Sequence, residues 1–230
     1  MEQTFKVDKS EVLRYLGHKG QPFSEDIDKT IDEMIVRCEQ IATPAVRTVQ
    51  YSLQRTDGGI LLEGTNLTLM GKDVAEHLKD CNSAVLMAAT LGQSIDREMR
   101  VLEASDMVKA LIFDSCASSL IESVCDYAQS KARETAAQSG LFITDRFSPG
   151  YGDLALEIQP EFLKILDTQR KIGLYCTDTC LMNPRKSVTA IIGLKATESG
   201  VMRRSCENCK LKESCEFRKN GISCESKTKN

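Results

Sequence analysis

Apolar positions recur along this chain with two periods, and the changes of period mark its elements. Ser24 is placed to cap a helix. Ile27, Ile31, Met34, Ile35, Cys38 and Ile41 then follow at helical spacing, and Pro44 ends the run. Residues 45–55 alternate instead, carrying Val46, Val49, Tyr51 and Leu53, which predicts a strand. Asp57-Gly58-Gly59 turns the chain into a return strand at 60–62, and 67–69 is available to extend the sheet. A short helix is expected over 72–78. A nearly continuous apolar run over 82–91 predicts a buried strand, which Gly92 breaks before a helix over 94–103.

The longest periodic stretch runs from about 106 to 138. Val108, Ile112, Cys116, Leu120, Val124 and Ala128 form one apolar row at i, i+4 intervals. At 1.5 Å per residue such a helix would span roughly 50 Å and act as a spine. Cys116 and Cys125 fall on or beside its apolar stripe, where small buried hydrophobes are expected. Gly140 stops the helix, and 141–144 reads as a strand. Pro160 opens a helix through Thr168, and 173–175 and 187–194 read as two more strands. No internal repeat is present. Helices mixed with hairpin-like strands predict an α+β fold with a mainly antiparallel sheet. Composition shifts near Ser199, after which large apolar side chains become sparse. The organisation expected is a domain over 1–200 and a cysteine-rich appendage over 201–230.

The chain has 230 residues, 30 basic and 33 acidic, for a net charge of −3. No basic face dominates, which argues against a nucleic-acid partner. No apolar run is long enough to cross a bilayer, and residues 1–6 lack an apolar signal core. A soluble, cytoplasmic protein without a membrane partner is the expectation. With ten cysteines and two histidines, His18 and His77, metal ligation or free buried thiols are expected rather than disulfides. A His-rich metal site is excluded.

The segment with the most chemistry is Arg146-Phe147-Ser148-Pro149-Gly150-Tyr151. Pro149 fixes its own φ and holds Ser148 extended. Gly150 permits a sharp turn or a close approach to a ligand. Arg146 supplies a planar fork of donors for a carboxylate or phosphate. Tyr151 supplies a π face and a hydroxyl. Taken alone, the loop is also readable as an ordinary Pro-Gly turn. Downstream lies Cys176-Thr177-Asp178-Thr179-Cys180-Leu181-Met182-Asn183-Pro184-Arg185-Lys186-Ser187-Val188-Thr189-Ala190.

These two segments together resemble the activation domain of cobalamin-dependent methionine synthase. The first matches R-x-x-x-G-Y with proline before the glycine. In the second, Thr177, Asp178, Met182, Pro184, Ser187 and Val188 fit T-[DE]-S-x-x-M-x-P-x-x-S-V-S, with Thr179 and Thr189 as conservative departures. The resemblance implies a C-shaped α+β domain with a bent, mainly antiparallel sheet that binds S-adenosylmethionine. It implies delivery of a methyl group to cob(II)alamin while an electron donor, such as a flavodoxin or ferredoxin, reduces the cobalt. Carried over, Arg146 holds the methionyl carboxylate, and the Ser148–Pro149 backbone contacts the ligand. Gly150 allows close approach, and Tyr151 faces the reacting end. Asp145, Asp153 or Asp178 would suit the ligand's cations, with a turn role for Asp178 as the alternative. No D-x-H-x-x-G segment is present to give cobalt a lower ligand, so cobalamin would arrive on a corrinoid-binding protein or methionine synthase core subunit. Ser187 and Val188 are expected to start a strand.

Cys206-x2-Cys209-x5-Cys215-x8-Cys224 departs from the large fused enzymes. Four thiolates suit zinc or an iron–sulfur cluster; a tail of free thiols is the alternative. Cys176 and Cys180 are expected in a strand or turn, or as extra ligands. The rival functional reading is a metal-binding redox or adaptor protein that binds no adenosylmethionine.

Overall fold

Two neighbouring strands are apolar on both faces, and the rest of the fold is arranged to cover them. They are β4 (Cys81–Thr90) and β8 (Ser187–Lys195), paired antiparallel with Leu86 opposite Ile191. The computed structural model describes residues 4–18, 20 and 24–197. Its main sheet adds β1 (Ala45–Thr56), β2 (Gly59–Leu62), β3 (Thr68–Leu69) and β5 (Phe142–Ile143) in the order β3-β2-β1-β4-β8-β5. Every pairing in it is antiparallel. The fold is α+β with an open sheet, as the mixed pattern predicts.

Alternate residues of the central strands enter different cores. Met87, Ala89, Ala190 and Ile192 face α5 (Met107–Gln138), together with α1 (Lys9–Tyr15), α2 (Glu25–Ile41) and α4 (Gln93–Ser105). Ala84, Leu86, Ala88 and Ile191 face the opposite layer, built from β2, β3, α3 (Lys72–His77), α6 (Gln159–Ile165) and the segment around Leu174. Burial on both faces is why 82–91 reads as a continuous apolar run and not as an alternation. Gly193 keeps β8 close to its cover, since a Cβ there would lie 2.5 Å from Cys81 Sγ and 2.8 Å from Leu78 Cδ2.

The long helix appears where expected, over 32 residues. Asp106 caps it, its carboxylate accepting from the Val108 and Lys109 amides at 3.1 Å each. Gly140, at φ 69°, ends it, and the Leu141 amide donates back to the Ala136 carbonyl at 3.0 Å. Ile112, Cys116, Leu120, Val124 and Ala128 are buried as the apolar row predicts. Val108 is a correction: it lies in the first turn and is 55 % exposed.

Other elements differ from the sequence reading. Helix α1 was not expected, because Val12 is its one buried residue. It is held by ion pairs from Lys9 to Asp28 and Asp32 and by the Asp8 amide donating to Ser119 Oγ at 3.1 Å. The helix expected from Pro160 to Thr168 splits into α6 and α7 (Thr168–Ile172). Asp167 sits in the left-handed region at φ 53°, and Thr168 Oγ1 donates to the Leu174 carbonyl at 2.7 Å. The strand expected over 173–175 is β6 (Tyr175–Cys176), which among the described residues pairs with β7 (Met182–Asn183) in a separate two-stranded sheet. No helix among the described residues is long and apolar enough to cross a membrane.

Cys38, Cys81, Cys116 and Cys125 are buried free thiols. Burial pushes all four up from the ordinary value of 9.0, Cys116 and Cys125 to about 12. Below pH 9 these thiols are protonated folded or unfolded and add no pH dependence. Above it the unfolded chain ionises while Cys38, Cys116 and Cys125 stay protonated in the native chain, so stability falls as pH rises towards 12, by about 1.4 kcal/mol per pH unit for each of these three, and Cys81 acts in the same direction. Urea unfolding at pH 7.5 to 10.5 should show the midpoint dropping above pH 9, with a shallower drop in Cys116→Ala. An identical profile in that variant would contradict the assignment.

Candidate functional site

After β5 the chain continues antiparallel to β8 along the sheet edge, but with a slip. Ile143 lies opposite Leu194, whereas Phe147 lies opposite Ile191. Four steps along one strand therefore match three along the other, which is the signature of a bulge. The slip turns consecutive side chains towards different layers. Phe147 is held by two backbone bonds to Ile191, at 2.9 and 2.8 Å, and enters the core beside Leu154 and Phe162. Arg146 points instead to α5.

There Arg146 lies between two carboxylates one helical turn apart. Its Nη2 is 2.9 Å from Glu122 Oε2 and 3.0 Å from Asp126 Oδ1. The arginine side chain is 16 % exposed, while Glu122 and Asp126 are 48 % and 71 % exposed. Among the described residues, one cation and two anions give these three side chains a formal charge of −1, with the anions facing solvent. The arrangement can accept a ligand bearing its own carboxylate for the guanidinium and cationic groups for the acids.

Beyond Phe147 the loop folds on itself. The Tyr151 amide donates to the Ser148 carbonyl at 3.0 Å, the Leu154 amide to the Tyr151 carbonyl at 3.1 Å, and the Gly150 amide to the Leu154 carbonyl at 2.9 Å. Gly150 is at φ 82°, and a Cβ there would touch Leu156 at 3.4 Å, so the tight turn needs glycine. Tyr151 is half exposed, its ring edge-on to Phe147 at 5.5 Å. Phe147 is braced in turn by the His77 ring at 5.0 Å. His77 Nε2 lies 2.9 Å from Thr144 Oγ1, which accepts from the Gly193 amide at 2.8 Å. The aromatic face of Tyr151 is thus set by a chain of contacts reaching the sheet.

The second sequence segment is fastened to the start of α6 through Gln159, a buried residue that sequence reasoning missed. Its Nε2 donates to Thr189 Oγ1 at 2.9 Å and to Met182 Sδ at 3.4 Å, and its Oε1 accepts from Thr189 at 3.1 Å. It therefore fastens the β6–β7 hairpin to β8. Around it, Ser187 Oγ donates to the Pro184 carbonyl at 2.7 Å, and Asp96 accepts from the Arg185 amide at 2.9 Å. Gln93 hydrogen-bonds Asn183. Ser187 and Val188 start β8, as expected. Asp178 lies exposed at the hairpin tip, between Thr177 and Thr179, whose hydroxyls are 2.9 Å apart.

Asp153 is placed at the start of α3. Its carboxylate accepts from the Lys72 and Asp73 amides at 2.6 and 3.0 Å, capping α3. The acids beside the arginine are Glu122 and Asp126. Cys206, Cys209, Cys215 and Cys224 lie outside the described residues. Among the described residues no three His, Cys, Asp or Glu side chains are grouped to hold a metal ion.

No family model matches this chain, and no curated protein does. Among solved structures it is similar to the crystal structure of the MetH reactivation domain bound to AdoHcy, with a TM-score of 0.61 at 14% sequence identity. The match covers 94% of this chain and 82% of that one. At this identity the likeness establishes a shared fold.

Gln159→Leu should destabilise the protein by about 1–3 kcal/mol, because it leaves the buried Thr189 hydroxyl unsatisfied. Amide exchange in β6 and β7 should accelerate in the same variant. Unchanged urea unfolding and unchanged exchange would show that Gln159 does not fasten the hairpin.

Proposed function

We propose that this chain binds S-adenosylmethionine at the Arg146 loop and serves as a reactivation module for a corrinoid protein, supporting reductive methylation of cob(II)alamin carried by a partner. The observation that carries this reading is the Arg146–Glu122–Asp126 cluster beside a rigid aromatic loop, within a fold shared with the AdoHcy-bound MetH reactivation domain.

The charges match group by group. The amino-acid end of S-adenosylmethionine carries one carboxylate and two cations, the ammonium and the sulfonium. The cluster carries one guanidinium and two carboxylates. Arg146 takes the ligand carboxylate; Glu122 and Asp126 take the cationic side. Tyr151 offers its half-exposed ring to the sulfonium, an attraction worth roughly 0.5–2 kcal/mol. Ser148 and Pro149 offer backbone groups to the ligand, and Gly150 lets that backbone approach without a side chain of its own in the way. Asp178 joins the site from the hairpin tip in this reading.

The methyl transfer itself is the chemistry of the sulfonium and the partner's cobalt, with one electron from a donor such as a flavodoxin or ferredoxin. This chain contributes orientation and a fixed electrostatic environment. A permanent guanidinium and two carboxylates hold the amino-acid end in one pose, so the methyl group is presented in a constant direction.

Calorimetry tests the reading. S-Adenosylmethionine should bind measurably, and Arg146→Ala should weaken it by at least ~1.5 kcal/mol, the scale of a charge-assisted hydrogen bond. At low salt the sulfonium ligand should bind more tightly than AdoHcy, which lacks that cation, and Asp126→Asn should narrow the gap. Equal affinity in wild type and Arg146→Ala would refute the site.

A further inference from the structure

We propose a second ligand site, separate from the Arg146 loop, in the groove between the C-terminal half of α5 and β1, fitted to a small amphipathic molecule with one anionic head. The groove has a volume of about 290 Å³, the lower end of the range for small-molecule pockets. Its floor is apolar: Val46, Val85, Leu194, Ala128, Ala132 and Ala136.

The groove follows from how α5 is packed. Up to Ala128 the helix buries large side chains such as Ile112, Phe113, Leu120, Ile121 and Val124; beyond it, the one buried residue is Ala136. The far end of the helix therefore sets small side chains, Ala128, Ala132 and Ala136, over this part of the sheet, and Val46 and Val85 remain only partly buried. An apolar ligand body would remove that surface from water.

The rim selects the head group. Thr48, Gln50, Thr135 and Ser139 supply neutral polar groups, and among the described residues Lys131 is the one charged side chain lining the groove. Among the described residues the lining holds one cation and no acid, which complements an anion. Lys131 Nζ is 2.7 Å from Glu134 Oε2, with both side chains more than half exposed. Such a pair is worth at most about 1 kcal/mol and opens readily. The ammonium also lies 5.7 Å from the Tyr127 ring centroid, at the groove wall.

The site is independent of the proposed adenosylmethionine site. Glu122 and Lys131 are nine positions apart on α5, which at 3.6 residues per turn places them on opposite sides of the helix. Each site can be probed while the other serves as a control.

The test is a chemical-shift titration of the full chain with octanoate and, separately, octylammonium, both below their micellar concentrations. Octanoate should shift amides of β1 around Val46–Gln50 and of α5 around 128–139, and octylammonium should bind on the order of fivefold more weakly, a gap of about 1 kcal/mol. Lys131→Glu, at an exposed position that spares the fold, should reverse the order. Ala132→Phe should fill the groove and abolish both, with AdoHcy affinity unchanged. Equal binding of the two probes, the same octanoate affinity in Lys131→Glu, shifts scattered over the surface, or no shifts at millimolar probe would each overturn the proposal.

Discussion

One guanidinium held between two carboxylates at the edge of a sheet is the interaction on which the functional reading rests. It exists because of a single extra residue. Had the strand after Ile143 kept its register against β8, alternation would have sent Arg146 towards the α6 layer and Phe147 towards α5. The bulge exchanges these destinations. The charged residue meets Glu122 and Asp126 on the helix, and the apolar one enters the core beside Phe162. A permanent cation would be costly in that core, so the register slip and the arginine's ion pairs belong together.

The scaffold explains why the cluster can stay fixed. β4 and β8 are covered on both faces, and the long helix runs across one of them, so Glu122 and Asp126 are presented from a well-packed element. The aromatic side of the site is set from the opposite layer, through Tyr151 on Phe147, Phe147 on His77, and His77 to Thr144 and Gly193. Gln159 ties in the β6–β7 hairpin. The loop is thus positioned from both layers of the molecule, which suits a role of orientation more than one of chemistry at a side chain.

Much of the fold was legible in the residue pattern, because the large elements obey strong periodicities. The helix over 107–138 has an uninterrupted apolar row with a capping aspartate and a terminal glycine, and the central strands are too apolar to be anything exposed. What escaped was short or tertiary in origin. Helix α1 buries one side chain and depends on ion pairs from distant residues. The break between α6 and α7 turns on Asp167 adopting a left-handed conformation, which nothing local demands. The arginine, proline, glycine and tyrosine of the loop stood out in sequence as a group. Glu122 and Asp126 did not, because acids four apart on a long helix read as a solvated face until the bulge shows what lies above them. Gln159, just before Pro160, has no pattern around it that marks an amide as buried, although its side chain is packed against Thr189.

The most direct test is a crystal structure of this chain with AdoHcy. The account predicts the homocysteine carboxylate on Arg146, the ammonium within hydrogen-bonding distance of Glu122 or Asp126, and the sulfur beside Tyr151. A ligand found elsewhere on the molecule, with the Arg146–Glu122–Asp126 cluster undisturbed, would contradict it.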